Sequence, residues 1–131
     1  MGKITEVDTV TDEEITIGND KWKPKNSYND FLGDMTIKEA VARSANIPAV
    51  KVLDMVNLTN SFNYLQNKFH ITTLEEKDKN YSSLALGGLT QGVTVEEMAG
   101  AYCTFAAIVA AFLTAELSMR RPKNSASSLR R

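Results

Sequence analysis

The chain has 131 residues, 43% of them hydrophobic and 24% charged, with a formal net charge of -1. That balance suits one globular domain or part of one and argues against disorder. The near-neutral charge excludes a general basic field for nucleic acid, so no nucleic-acid partner is expected. One cysteine and one histidine exclude an internal disulfide, a cysteine cluster and a histidine-rich zinc site. No metal and no cofactor are therefore expected.

Residues 1–34 read as irregular, with short strands. Glu14-Ile15-Thr16-Ile17 is strand-like and ends at the turn signal Gly18-Asn19-Asp20. Asp12, Glu13 and Glu14 read as a solvated acidic face. Pro24, within Lys23-Pro24-Lys25-Asn26, blocks helix. Trp22 reads as a packed anchor rather than a binding platform.

A first helix opens at a capping box, Thr36 with Glu39, and presents Ile37, Ala40 and Val41 as its buried face. It should stop near Arg43 or Ser44. Pro48 suits the first turn of a second helix, where its missing N–H costs nothing. Val50, Leu53 and Val56 mark that helix's apolar face, with Val52 and Met55 beside it. Residues 57–60 read as a turn, and Phe62, Leu65 and Phe69 as the stripe of a third helix over 60–68. Residues 72–80 are polar and read as a loop.

Leu84-Ala85-Leu86-Gly87-Gly88-Leu89 turns from apolar to glycine-rich. No Gly-Lys-Ser/Thr follows, so a tight backbone approach is expected there, not a phosphate loop. A second capping box, Thr94 with Glu97, opens a last helix with Val95, Met98, Ala99, Tyr102 and Phe105 inward. Cys103 lies in this apolar run and reads as a buried, inert thiol. Residues 99–115 are free of charge for 17 residues, the short limit of a membrane span, and read better as a buried helix. The opening of the chain has no charged-then-apolar pattern, so no signal peptide or other targeting segment is expected. The final residues, 118–131, are serine- and arginine-rich without apolar period, and read as a disordered basic tail. Residues 107–117 are a candidate extension of the last helix.

The chemistry centres on Ser44-Ala45-Asn46, between two helices. On spacing alone the triplet is a pair of helix caps, since both residue types favour helix boundaries. Its surroundings change that reading. Residues 36–50, with Ser44-Ala45-Asn46-Ile47-Pro48-Ala49-Val50, resemble the S-x-N region of class A penicillin-binding proteins. Trp22-Lys23-Pro24-Lys25-Asn26 resembles the W-x-P-x-N segment upstream of it. Ser83-Leu84-Ala85-Leu86-Gly87-Gly88, with Gly92-Val93-Thr94 and Glu97-Met98-Ala99, resembles the downstream S-L-A-L-G-G…G-V-T…E-M-A. Ala101-Tyr102-Cys103-Thr104-Phe105-Ala106 is similar to the A-Y-x-x-F-A that follows. The resemblance covers roughly residues 5–106.

This resemblance implies a fold and a mechanism. The fold is that of the α/β penicillin-binding transpeptidase domain, of which this stretch supplies mainly the helical part, so a mostly α fold class is expected. The domain reading is a partial transpeptidase domain over 1–106, followed by 107–117 and the tail 118–131. In the family, a serine of S-x-x-K attacks the D-alanyl-D-alanine end of a peptidoglycan stem peptide, and an amine of a neighbouring stem takes the acyl group. Ser44 matches the serine that relays the proton to the leaving amine, and is the catalytic candidate. Asn46 matches the residue whose amide holds the substrate backbone, and is the substrate-binding candidate. The implied partners are the stem peptide and β-lactams, and the implied location is the extracytoplasmic face of the bacterial membrane, to which such proteins are anchored.

The departures matter equally. No serine is followed at three residues by lysine, and no lysine is followed by Thr-Gly or Ser-Gly. The family places S-x-x-K before the matched stretch and K-T-G after it. After Ala106 the family's F-A-N-G-G is replaced by Ala107-Ile108-Val109-Ala110. His70 stands where the family commonly has glycine, and reads as a surface residue at a helix end. The chain alone is thus expected to be inactive. The alternative is a non-catalytic helical remnant that only packs against or binds a partner.

Overall fold

A computed structural model describes the chain over residues 4–119, with side chains described up to residue 107. The expected basic tail falls, from residue 120 on, outside the described residues.

Two short antiparallel strands open the fold, β1 (Thr9–Asp12) and β2 (Gly33–Thr36), in register from Thr9 opposite Thr36 to Asp12 opposite Gly33. Successive strand residues point to opposite faces, so Val10 and Asp12 share the inner face with Met35. The strand expected at Glu14–Ile17 is absent. Only Ile17 bridges Trp22, with both backbone bonds at 2.9 Å, around the turn that begins at Gly18. Half-buried Trp22 takes part in that bridge.

Helix α1 (Ile37–Ala42) begins where expected, with Thr36 Oγ1 accepting the N–H of Glu39 at 3.2 Å. The return half of the capping box is not made, because Glu39 Oε1 accepts from Arg43 Nε at 2.9 Å. Ala40 is buried and Ile37 packs beside it, but Val41 is 76% exposed. A six-residue helix has too few turns for spacing to fix which apolar residue faces inward.

Helix α2 (Asn46–Val56) is the centre of the molecule, packing on α1, β1 and the two helices that follow. Ile47 and Val50 are completely buried, and Pro48 and Leu53 nearly so. Each fully buried aliphatic side chain contributes about 1.5–3 kcal/mol of transfer free energy. Val56 and Met55 are exposed, so the buried face lies one turn earlier than spacing predicted.

Residues 57–60 are not a separate turn. Asn57 alone, at φ 78°, ends α2 and begins α3 (Leu58–Asn67), its side chain accepting from the N–H groups of Thr59 and Asn60. Phe62 is buried, and Leu65 and Phe69 pack against the same cluster, as their stripe requires. The segment expected as a polar loop, 72–80, is irregular apart from one short turn, but it is tied into the body. Ile71 and Leu74 are core, and a 3-10 turn over Glu76–Asp78 buries Asp78. Its carboxylate accepts from the N–H and hydroxyl of Thr90 at 2.9 and 2.7 Å and from the Glu75 N–H at 3.0 Å.

Helix α4 (Tyr81–Leu86) forms within the glycine-rich stretch, capped by Asn80, whose oxygen accepts the Ser83 N–H at 2.8 Å. Gly87 ends it at φ 80°, and nothing lies within 4 Å of a Cβ built there. The glycine is required by the left-handed dihedral, not by the close approach that was expected.

Helix α5 (Val95–Met119) opens with both halves of its capping box: Glu97 N–H to Thr94 Oγ1 at 3.1 Å and Thr94 N–H to Glu97 Oε2 at 3.0 Å. Its rotation differs from expectation. Glu97, Ala101 and Thr104 turn toward the body, while Val95, Met98, Tyr102 and Phe105 are exposed. Cys103 is exposed as well, not buried. A helix built largely from small apolar residues has no decisive stripe. The bonds of Glu97 Oε1 to the N–H and hydroxyl of Thr72 set its rotation instead. Among the described residues, no helix is long and apolar enough to cross a membrane.

Candidate functional site

The Ser44–Asn46 turn joins a helix end closed by its own backbone to a helix start that lacks a local cap. At the end of α1, the N–H of Ala45 reaches Ala40 O at 2.9 Å and the N–H of Ser44 reaches Val41 O at 3.1 Å. This pair of bonds is the Schellman closure, which needs a left-handed residue at Ser44's position and commonly places glycine there. Ser44 adopts it, at φ 53°, with its side chain exposed. An L-residue in that region costs about 1–2 kcal/mol.

At the start of α2 the N-cap is Ala45, which offers no side-chain acceptor. The free donors of the first turn are therefore those of Asn46 and Ile47, since Pro48 has none and the Ala49 N–H reaches Ala45 O at 3.4 Å. Both are accepted by one distant atom, Asn26 Oδ1, at 3.0 and 3.3 Å. The Asn46 side chain in turn donates to the carbonyl of Lys25 at 2.8 Å. Asn46 is thus the first residue of the helix, not the helix cap that spacing alone suggested, and its own amide is anchored to the 23–26 segment.

Behind Asn26 lies Asp12, 1% exposed. It was expected in a solvated face, yet it is the most enclosed carboxylate of the site. Its Oδ1 accepts from Asn26 Nδ2 at 2.7 Å; its Oδ2 accepts from the Tyr28 hydroxyl at 2.7 Å and the Leu32 N–H at 3.1 Å. Burial pushes its pKa up, but those three bonds and the charge of Lys51 outweigh burial and hold it below the usual carboxylate range. Tyr28, partly desolvated and donating to that carboxylate, is pushed up to about 12. Lys51 Nζ ties this corner to β1 through Thr11 O and Glu13 Oε1, both at 2.7 Å.

Ser44 and Asn46 both line a cleft of about 570 Å³ between α1, α2 and α4, whose other walls include Val52, Leu53, Leu84 and Ala85. The two residues singled out from sequence are therefore brought to one wall of one cavity. Asp12 and Tyr28 were missed by sequence reasoning, and Asn26 was noticed only as part of a resemblance. The available signal was an asparagine in a segment with no helix of its own to cap.

Penicillin-binding protein 4 of Bacillus subtilis is 38% identical to the chain over 82 residues, covering 63% of the chain. Penicillin-binding protein 1A of Pseudomonas aeruginosa is 39% identical over 85 residues, covering 65%. The crystal structure of penicillin-binding protein 1A from Haemophilus influenzae superposes with a TM-score of 0.65 at 26% identity, over 78% of the chain. The chain is similar to penicillin-binding proteins over these stretches. It spans 13% and 10% of the length of those two sequence relatives, and 15% of the solved chain. No protein-family model matches it. The mostly α architecture agrees with a helical part of the penicillin-binding-protein transpeptidase fold.

His70, expected as a surface residue at a helix end, is exposed and left-handed at φ 56°, just after α3, a geometry that suits glycine.

Proposed function

We propose that the chain contributes the S-x-N wall of a peptidoglycan D,D-transpeptidase domain, with Ser44 as proton relay and Asn46 as substrate-backbone holder. The observation that carries this reading is Ser44 itself. It occupies a left-handed closure where glycine is favoured, and its side chain lines the cleft instead of packing. Strain kept at a cavity wall is a mark of function. A hydroxyl there can accept a proton from one neighbour and hand it to a departing amine. Asn46 spends one amide proton on Lys25, which fixes its rotamer, and its carbonyl and second amide proton remain to pair with a peptide backbone.

In this reading residues 1–106 are a partial transpeptidase domain, 107–117 extend its last helix, and 118–131 are an appended basic tail. The stem peptide and β-lactams are ligands of the whole domain, which acts at the extracytoplasmic face of an anchored protein. The chain carries neither S-x-x-K nor K-T-G, so it supplies no acylating serine by itself. A second reading, a helical remnant that only binds a partner, is favoured by one observation: the exposed apolar residues Met98, Tyr102 and Phe105 along α5.

A chimera tests the two. The segment of the Bacillus subtilis relative that matches this chain is replaced by residues of this chain, and acylation by a fluorescent penicillin is followed. Acylation should persist, and should slow by about 100-fold or more with Ser44→Ala, the usual effect of removing a placed proton-transfer group. A folded but unreactive chimera, or one indifferent to Ser44→Ala, sinks the transpeptidase reading.

A further inference from the structure

The buried amide of Asn26 has no spare capacity. Its two protons go to Asp12 Oδ1 at 2.7 Å and to the Asp30 carbonyl at 3.0 Å. Its oxygen takes the N–H groups of Asn46 and Ile47. A carboxamide is nearly symmetrical in shape, so packing alone does not decide which end faces the helix. What decides it is the chemistry opposite. An ionised carboxylate only accepts, so the NH₂ end must face Asp12 and the oxygen must face α2. Asp12 in turn cannot rotate freely, because the Tyr28 hydroxyl and the Leu32 N–H hold its second oxygen.

We propose that Asp12 is a positioning residue for the Ser44–Asn46 turn: through Asn26 it sets the amide polarity that caps α2 and fixes where Asn46 enters the cleft. The proposal rests on the reading of that turn as a substrate-facing wall. Asp12 touches neither Ser44 nor Asn46, and acts across two hydrogen bonds. Residues 20 and 34 positions upstream of Asn46 thereby replace the side-chain cap that Ala45 cannot supply. The arrangement leaves Ala45 free to be small and buried, and keeps both cleft-lining side chains out of the capping task.

Amide hydrogen exchange on the chain itself, without ligand, tests the assignment separately from any transpeptidase activity. Asp12→Asn keeps the shape but removes the strict acceptor. An amide at position 12 cannot accept from Asn26, Tyr28 and Leu32 together without turning its own NH₂ toward a donor. Exchange at Asn46 and Ile47 should rise by about tenfold or more, the ratio expected for one buried hydrogen bond lost, while Val50 and Leu53 in the same helix change little. The swapped pair Asp12→Asn with Asn26→Asp restores an acceptor facing α2 and a donor facing it from behind, at the cost of the bond from position 26 to the Asp30 carbonyl, and should recover part of the protection. A uniform rise along α2, or no recovery in the swapped pair, overturns the proposal. If Asp12→Asn does not fold, Tyr28→Phe strips one bond from the same carboxylate, and the selective rise at Asn46 and Ile47 should appear there in weaker form; its absence has the same consequence. In the chimera, Asp12→Asn should slow acylation and the swapped pair should rescue it. Failure of the chimera to acylate at all would instead count against the transpeptidase reading, and leave the exchange result to decide the role of Asp12.

Discussion

Glu97 and Thr72 meet across 25 residues, the carboxylate of one accepting both the N–H, at 2.6 Å, and the hydroxyl, at 2.8 Å, of the other. The same carboxylate closes the capping box with Thr94. One side chain therefore starts α5 and pins it to the segment after α3.

Acid should loosen this latch. The backbone bonds from Thr72 and Thr94, then the Thr72 hydroxyl, hold Glu97 at about 2, well below its ordinary 4.5. A carboxyl whose pKa is lower folded than unfolded contributes stability that is complete above the unfolded value. That contribution is lost as pH falls toward the folded value. Asp12 and Asp78, also held low, act in the same direction. Denaturant midpoints measured from neutral pH into this acid window should fall. Glu97→Gln should lower the midpoint at neutral pH and flatten the dependence. A midpoint indifferent to pH below 4.5 would contradict the assignment.

Ser44→Gly should make the protein more stable. Glycine relieves the left-handed strain, about 1–2 kcal/mol, and returns part of it through its larger unfolded entropy, for a net gain of about 0.5–1 kcal/mol. Ser44→Val should cost more than it gains, since a β-branched residue fits φ 53° worst. Thermal melts decide both. If glycine destabilises, Ser44 contributes packing or bonding that its exposed side chain does not reveal.

The isolated chain should form no covalent adduct with penicillin. An unactivated serine hydroxyl is a poor nucleophile, and no lysine stands in S-x-x-K spacing to any serine of the sequence. Intact-mass spectrometry after prolonged incubation gives the answer, and a stoichiometric adduct at any serine would refute the expectation.

Much of the helical layout was legible in the sequence because its signals are local. Thr36 and Thr94 start helices through bonds to residues three positions on. The end of α1 near Ser44 was visible from Pro48 beyond it. The stripe of Phe62, Leu65 and Phe69 predicted the core face of α3. Ser44 and Asn46 could be singled out from the residues around them.

Where the fold depends on distant partners, the sequence was silent or misleading. Thr9–Asp12 did not read as a strand because a carboxylate fills one of its two inward positions, and that is tolerable only with Asn26, Tyr28 and Leu32 brought around it. The 72–80 segment is a loop, as it read, but the burial of Asp78 within it was not legible because its donors lie at Thr90. The rotation of α5 was misjudged because its apolar residues lie on several faces. A single polar contact, Glu97 with Thr72, outweighed their pattern. Local sequence determined where α1 and α5 begin, since there the cap and its donor lie within one turn. Tertiary structure alone decided which faces are buried and how the Ser44–Asn46 turn is held. A buried polar group is stable only with partners, and here those partners come from remote parts of the chain.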